Sequence, residues 1–274
     1  MTTTASHIDR VFAFVRRDFK INWSYRAAFF GDILSLITQV VMFYFIGLMV
    51  DPNVIPEYGG RTTSYIAFAA IGIALGGFLQ LGLGRVSSAI RQEQLMGTLE
   101  PLFMTPTSLG VLQVGLAFYD VIYVPIRTAV FLGAVALFLD LEFALSGALP
   151  TLVVILFFMP FVWGLGTLAS AGIMTFKRGG AAMGLVVLAL NVTSGAYFPL
   201  DLFPSWVTTI AQANPIAVAY QASRETLLGG AGWEAVTPHI PFMALSAVAT
   251  LLAGSVAVRL ALKREHRRGT LGAY

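Results

Sequence analysis

Few residues in this chain could do chemistry, and their setting limits what that chemistry is. Asp32, Asp120 and Arg127 are ionisable side chains inside long apolar runs. A charge at the centre of a membrane helix costs roughly 2.5–3.5 kcal/mol, so each should face protein or water. Asp120 and Arg127 lie two helical turns apart on one face, too far to touch without another helix or long side chains. Two readings follow: a proton relay, or structural pairing with other groups. A relay needs a chain of acids or histidines. The only histidines are His7, His239 and His266, far apart in sequence, so pairing is favoured. Asp32 sits near the start of its apolar run and is expected to reach the membrane interface.

A second constellation is polar. It reads Arg91-Gln-Glu-Gln-Leu-Met-Gly-Thr-Leu-Glu100, then Pro101-Leu-Phe-Met-Thr-Pro106. Over 87–105 charges alternate with Leu95, Met96, Leu99, Leu102 and Phe103, a mixture that suits an amphipathic helix better than a solvated loop. Thr105-Pro106 is a good cap and first-turn pair for the next helix. The chemistry here is contact: Arg91, Glu93 and Glu100 can meet a soluble partner, while both ends join apolar runs. That arrangement suits a lever.

Other chemistries are excluded by what the sequence lacks. There is no Cys, so no disulfide or thiolate metal site. There is no Gly-x-x-x-x-Gly-Lys-Ser/Thr phosphate loop, no Gly-x-Ser-x-Gly and no His-Glu-x-x-His. No metal-ligand spacing occurs, and nothing assembles into an enzyme active site.

The elements that must position these residues are membrane helices. The chain has 274 residues, 57% hydrophobic and 11% charged, with mean hydropathy +0.78. Soluble domains carry about 25% charged residues. A helix crosses the bilayer core with about 20 apolar residues. Runs meeting that need cover 27–50, 64–86, 106–139, 149–176, 181–200 and 239–262, predicting six spans. Pro125 and Pro160 fall inside two of them and are expected to kink them. Basic residues then set orientation. All of them except Arg61, Arg127 and Arg224 fall on one side, which places both termini in the cytoplasm. The sequence pI of about 9.3 reflects that bias rather than nucleic-acid binding. No cleavable signal peptide is expected at the start.

The remaining segments complete the predicted fold. Residues 7–26 carry Ile8, Val11, Phe12, Val15, Phe19 and Trp23 at helical spacing among Arg10, Arg16, Arg17 and Lys20. They read as an amphipathic interface helix, either an anchor or a docking element. Between spans five and six, residues 199–237 are too apolar for a free loop and too broken for a span. Pro204 can start one short helix, Pro215 a second, and Gly229-Gly230 can stop it. Two short re-entrant helices fit, with non-helical backbone that must be covered or line a cavity. Gly72/Gly76 and Gly180/Gly184 are small-xxx-small pairs that mark close helix contacts, within the chain or between copies. The reading is one all-α membrane domain over 1–274.

The chain resembles the membrane subunit of type 2 ABC exporters over nearly its whole length. The resemblance rests on Glu93-Gln-Leu-Met-Gly97-Thr-Leu-Glu100…Thr105-Pro106, on Ser194-Gly-Ala-Tyr-Phe-Pro199-Leu-Asp-Leu-Phe-Pro204-Ser-Trp206, and on Asn214-Pro215 followed by Arg224 and Leu227-Leu-Gly229. It implies a non-catalytic half-transporter in a prokaryotic inner or plasma membrane. A second membrane subunit, an identical copy in a homodimer, would complete the path. P-loop ATPase subunits would bind ATP and Mg, while this chain would hold no cofactor. Arg91, Glu93, Gly97, Thr98 and Glu100 would form the coupling site. Pro199, Asp201, Phe203, Pro204, Trp206, Asn214, Pro215 and Arg224 would belong to an extracellular gate. The implied substrate is a hydrophobic or amphipathic drug, a lipid or a lipid-linked glycan. The competing reading from the residues alone is an ion- or proton-coupled carrier using Asp120 and Arg127.

Overall fold

The computed structural model describes residues 26–60, 62–95, 109–176 and 180–268. Residues 7–25 of the interface helix expected at 7–26, and Gly97, Thr98 and Glu100 of the polar segment, lie outside the described residues. No strand occurs among the described residues. Among the described residues eight α-helices run in order: α1 Arg26–Gly47, α2 Tyr65–Leu95, α3 Leu109–Leu139, α4 Ala148–Phe176, α5 Gly180–Thr193, α6 Ser205–Gln212, α7 Pro215–Leu227 and α8 Ile240–Arg268. Short 3-10 turns at Pro52–Val54, Leu145–Gly147, Leu200–Leu202, Trp233–Ala235 and Thr237–His239 join them.

Among the described residues, 5 helices are long and apolar enough to cross a membrane: α1, α2, α3, α4 and α8. Six were expected from the apolar runs. The fifth run, 181–200, yields only the 14-residue α5, about 21 Å long at 1.5 Å per residue. The helix stops because the run contains a turn. Gly195 takes φ 74, a left-handed conformation open to glycine, and the Ala196 N–H turns back to the Asn191 carbonyl at 2.9 Å. α3 and α4 continue through Pro125 and Pro160, where the missing N–H deprives Val121 and Leu156 of their helical donors.

α2 is the central post. Its apolar window is 83% buried, against 22% for α1, 28% for the α3 window and 17% for α8. Ala69, Ala70, Ile73, Ala74 and Leu79 are all enclosed. Lipid tails are as apolar as leucine, so close packing rather than hydrophobic segregation holds such helices. Small residues make that packing possible. A Cβ on Gly166 of α4 would come 2.3 Å from the Gly82 carbonyl of α2, and one on Gly254 of α8 would come 2.8 Å from the Gly164 carbonyl of α4. The outward surfaces of α1 and α8 carry Phe30, Leu34, Phe45, Leu245, Leu252 and Leu260, as helices facing lipid or a further apolar surface should.

Candidate functional site

Two polar clusters flank α2, one against Phe68, Gly72 and Gly76 and the other against Ala74 and Gly77. The first gathers the end of α5, the turn after it, and α7. Asn214 caps α7: its Oδ1 accepts from the Ile216 N–H at 3.0 Å, with Pro215 in the first turn. That satisfies one of the orphan donors of a helix start. Its Nδ2 donates to Ser194 Oγ at 2.7 Å, tying the cap to the end of α5. Further along α7, Tyr220 donates its hydroxyl to Asn191 Oδ1 at 2.6 Å, and Asn191 Nδ2 returns to the Val187 carbonyl at 3.0 Å. Both residues are buried.

Arg224 lies one further turn along α7 and is buried. Its Nη2 donates to the Ala196 carbonyl at 2.8 Å and its Nε to the Phe68 carbonyl at 3.3 Å. The guanidinium carbon lies 3.5 Å from the Phe68 ring centroid, a cation–π geometry. Burial lowers its pKa to about 10, with Tyr58 and Tyr220 opposing, so it stays charged at neutral pH. Glycines on α2 admit this assembly. A Cβ on Gly72 would sit 1.8 Å from the Ala196 carbonyl oxygen, and one on Gly76 would sit 2.4 Å from Asn191 Oδ1. The expected Gly72/Gly76 contact is therefore made within the chain. Gly184, by contrast, meets nothing within 4 Å.

Further contacts fix α7 at its far end. Thr226 and Thr151 of α4 share a hydrogen bond at 2.7 Å. The Ala144 N–H donates to the Leu227 carbonyl at 2.7 Å. Tyr58 donates to Gln221 Oε1 at 3.2 Å, and burial raises the Tyr58 hydroxyl above its ordinary range, with Arg224 opposing. Asp201, Pro204 and Trp206 are exposed, Phe203 is half-buried, and Pro199 and Pro215 are buried. The residues expected as one gate thus divide in two. α7 is locked into the bundle, while Leu200–Leu202 and α6 lie at its surface.

The second cluster gives Asp32 the structural partner that an intramembrane charge was expected to need. Arg127 of α3 pairs with it through a two-point contact, Nε to Oδ2 and Nη2 to Oδ1, the latter at 3.1 Å. Tyr123 donates to Asp32 Oδ2 at 3.0 Å. Asp120 does not join this pair. It accepts from the Trp163 indole N–H at 3.1 Å, across to α4. Sequence reasoning missed Tyr123, Trp163 and Tyr220, which carry no mark distinguishing them from other aromatics in apolar runs. Asn191 was visible as an amide in such a run. Arg91 and Glu93 fall in the last turns of α2, directly before residues 96–108.

The ABC-2 type transporter family profile matches residues 9–228, which takes in both clusters, α2, α3 and the polar segment between them. The chain belongs to the ABC-2 type transporter family. It is a membrane transport subunit by that membership, of a kind that normally works with ATPase subunits. No curated protein matches the chain. Among the described residues no group of acidic or histidine side chains could hold a metal ion.

Proposed function

We propose that this ABC-2 chain is one half of the membrane part of an ATP-driven exporter. Two copies form the substrate path, and each docks a separate P-loop ATPase that binds ATP and Mg. The observation that carries this reading is the family match over 9–228, which spans polar segment, long helices and short helices in one frame. Arg91, Glu93, Gly97, Thr98 and Glu100 form the docking site on the cytoplasmic side, where the basic residues concentrate. The opposite end, with α6 and α7, forms the extracellular gate. The exposed Leu200–Leu202 turn and α6 support a yielding element there, and the locked α7 supports a fixed frame for it. Substrates are hydrophobic or amphipathic: a drug, a lipid or a lipid-linked glycan. The carrier alternative draws less support, because Asp120 and Arg127 engage different partners on α4 and α1.

Purification of the chain from its native membrane in mild detergent, with identification of co-purifying proteins and an ATPase assay, tests this. A stoichiometric P-loop ATPase is expected, and Glu93→Arg or Glu100→Arg should release it or uncouple hydrolysis from transport. A chain that purifies alone and transports without ATP would overturn the proposal.

A further inference from the structure

A single guanidinium joins three helices inside this bundle. Arg127 belongs to α3 and is only 1% exposed. It grips Asp32 of α1 at two points, and its Nη1 reaches the Ala74 carbonyl of α2 at 3.4 Å. Gly77 of α2 leaves the necessary room, since a Cβ there would lie 2.7 Å from Nη2. Tyr123, one turn back on α3, steadies the carboxylate from the other side.

The remaining contacts of α1 are mostly apolar. Ile33, Leu36, Val40 and Phe43 pack inward, while Phe30, Leu34, Phe45 and Met49 are exposed. Apolar contacts between helices have no hydrophobic advantage over lipid, and they resist sliding poorly because they are not directional. A forked ion pair is directional, and low surrounding dielectric strengthens it. Breaking it strands a buried charge, which costs far more than the pair contributes intact. That asymmetry makes it a stiff link.

The link also lies on the two helices that flank the polar segment in the chain. α2 continues from Ala74 and Gly77 through Arg91 and Glu93, and Arg127 lies on α3, the next described helix. We propose that Arg127 is a positioning residue that carries displacement of the motor-docking segment into α1, with Asp32 as its receiving group. This rests on the exporter reading above. When either helix shifts along its axis, Ala74 or Arg127 moves with it, and α1 must follow or the pair must break.

The chain has no Cys, so Leu48→Cys, at a position 68% exposed just past the end of α1, gives this chain a single site for a nitroxide label, attached before the ATPase subunits are added. In the full complex with its ATPase subunits in lipid, label mobility is read without nucleotide and with Mg-ATP and vanadate. The parent complex should show a nucleotide-dependent change. The apolar pair Asp32→Leu with Arg127→Met removes both charges and strands neither. It should keep ATP hydrolysis and melting temperature but shift the two-state balance at the label by about twofold or more. Arg127→Lys keeps the charge but loses the two-point fork, should give the same loss, and serves where the double variant fails to assemble. An unchanged label response in these variants overturns the link. So does a parent label blind to nucleotide in a complex that hydrolyses ATP. Recovery of no ATPase at all overturns the exporter reading itself.

Discussion

Arg224 donates to the carbonyl of Ala196 at 2.8 Å, and the same oxygen lies where a Cβ on Gly72 would be, 1.8 Å away. One carbonyl of a glycine-dependent turn is thus held between a buried cation and the bare backbone of α2. Gly72→Ala must push the turn off the helix. It should destabilise the protein by about 1–3 kcal/mol, the usual cost of overpacking. Gly184→Ala, whose Cβ meets nothing within 4 Å, is the internal control and should not destabilise. Thermal unfolding of both variants in the same detergent checks the contrast.

Arg224 itself is predicted to be irreplaceable by lysine. An ammonium cannot keep the planar fork onto Ala196 and Phe68 while lying flat on the Phe68 ring. Arg224→Lys should cost about 1–3 kcal/mol through a carbonyl left without its donor. Arg224→Met, which strands both carbonyls, should cost more. Hydrogen exchange at Ser194–Leu202 should rise in both, because that turn loses its tether. Equal exchange in parent and variants would contradict the assigned contact.

The Tyr220–Asn191 bond should appear as a pairwise energy. Tyr220→Phe leaves Asn191 Oδ1 without its donor, and Asn191→Leu leaves the phenol without its acceptor. A double-mutant cycle should return a coupling of about 0.5–2 kcal/mol, the scale of interhelical polar contacts in membrane proteins. A coupling near zero would mean the two groups find other partners as readily.

How much of this was legible in the sequence differs between the clusters. Pro204, Asn214-Pro215 and Gly229-Gly230 mark local backbone chemistry, so the neighbourhoods of α6 and α7 could be read from them. The extent of α5 could not. Hydropathy runs on through Tyr197 and Phe198, while the helix ends at Thr193 because Gly195 turns left-handed. Asn191, Thr193, Ser194 and Gly195 together were the available signal, and apolar-run length outweighed it. Arg127 and Asp120 were recognisable as charges needing partners. Their partners were not, because Asp32 and Trp163 sit far away in sequence, and the Arg127 contact exists only after three helices pack around Gly77. The same applies to Gly72: its bareness suggested a close approach, but no local pattern points to Ala196 as the atom that approaches.

Asn214 performs two tasks, and they can be separated. Its Oδ1 caps α7 through the Ile216 N–H, and its Nδ2 ties that cap to Ser194. Serine caps a helix about as well as asparagine but is too short to span to Ser194 as well. Asn214→Ser should therefore lose only the tie, an interhelical polar contact of about 0.6 kcal/mol on average. Asn214→Ala loses both, and should cost a further ~1 kcal/mol, within the usual range for a lost cap. Ser194→Ala is the reciprocal test: it removes the partner of the tie, leaves the cap intact, and should match Asn214→Ser in melting temperature. If Asn214→Ser proves as damaging as Asn214→Ala, the link to α5 dominates and the cap contributes little. If it proves neutral, α7 holds its start through the cap alone, and the end of α5 is held by Tyr220 and Arg224.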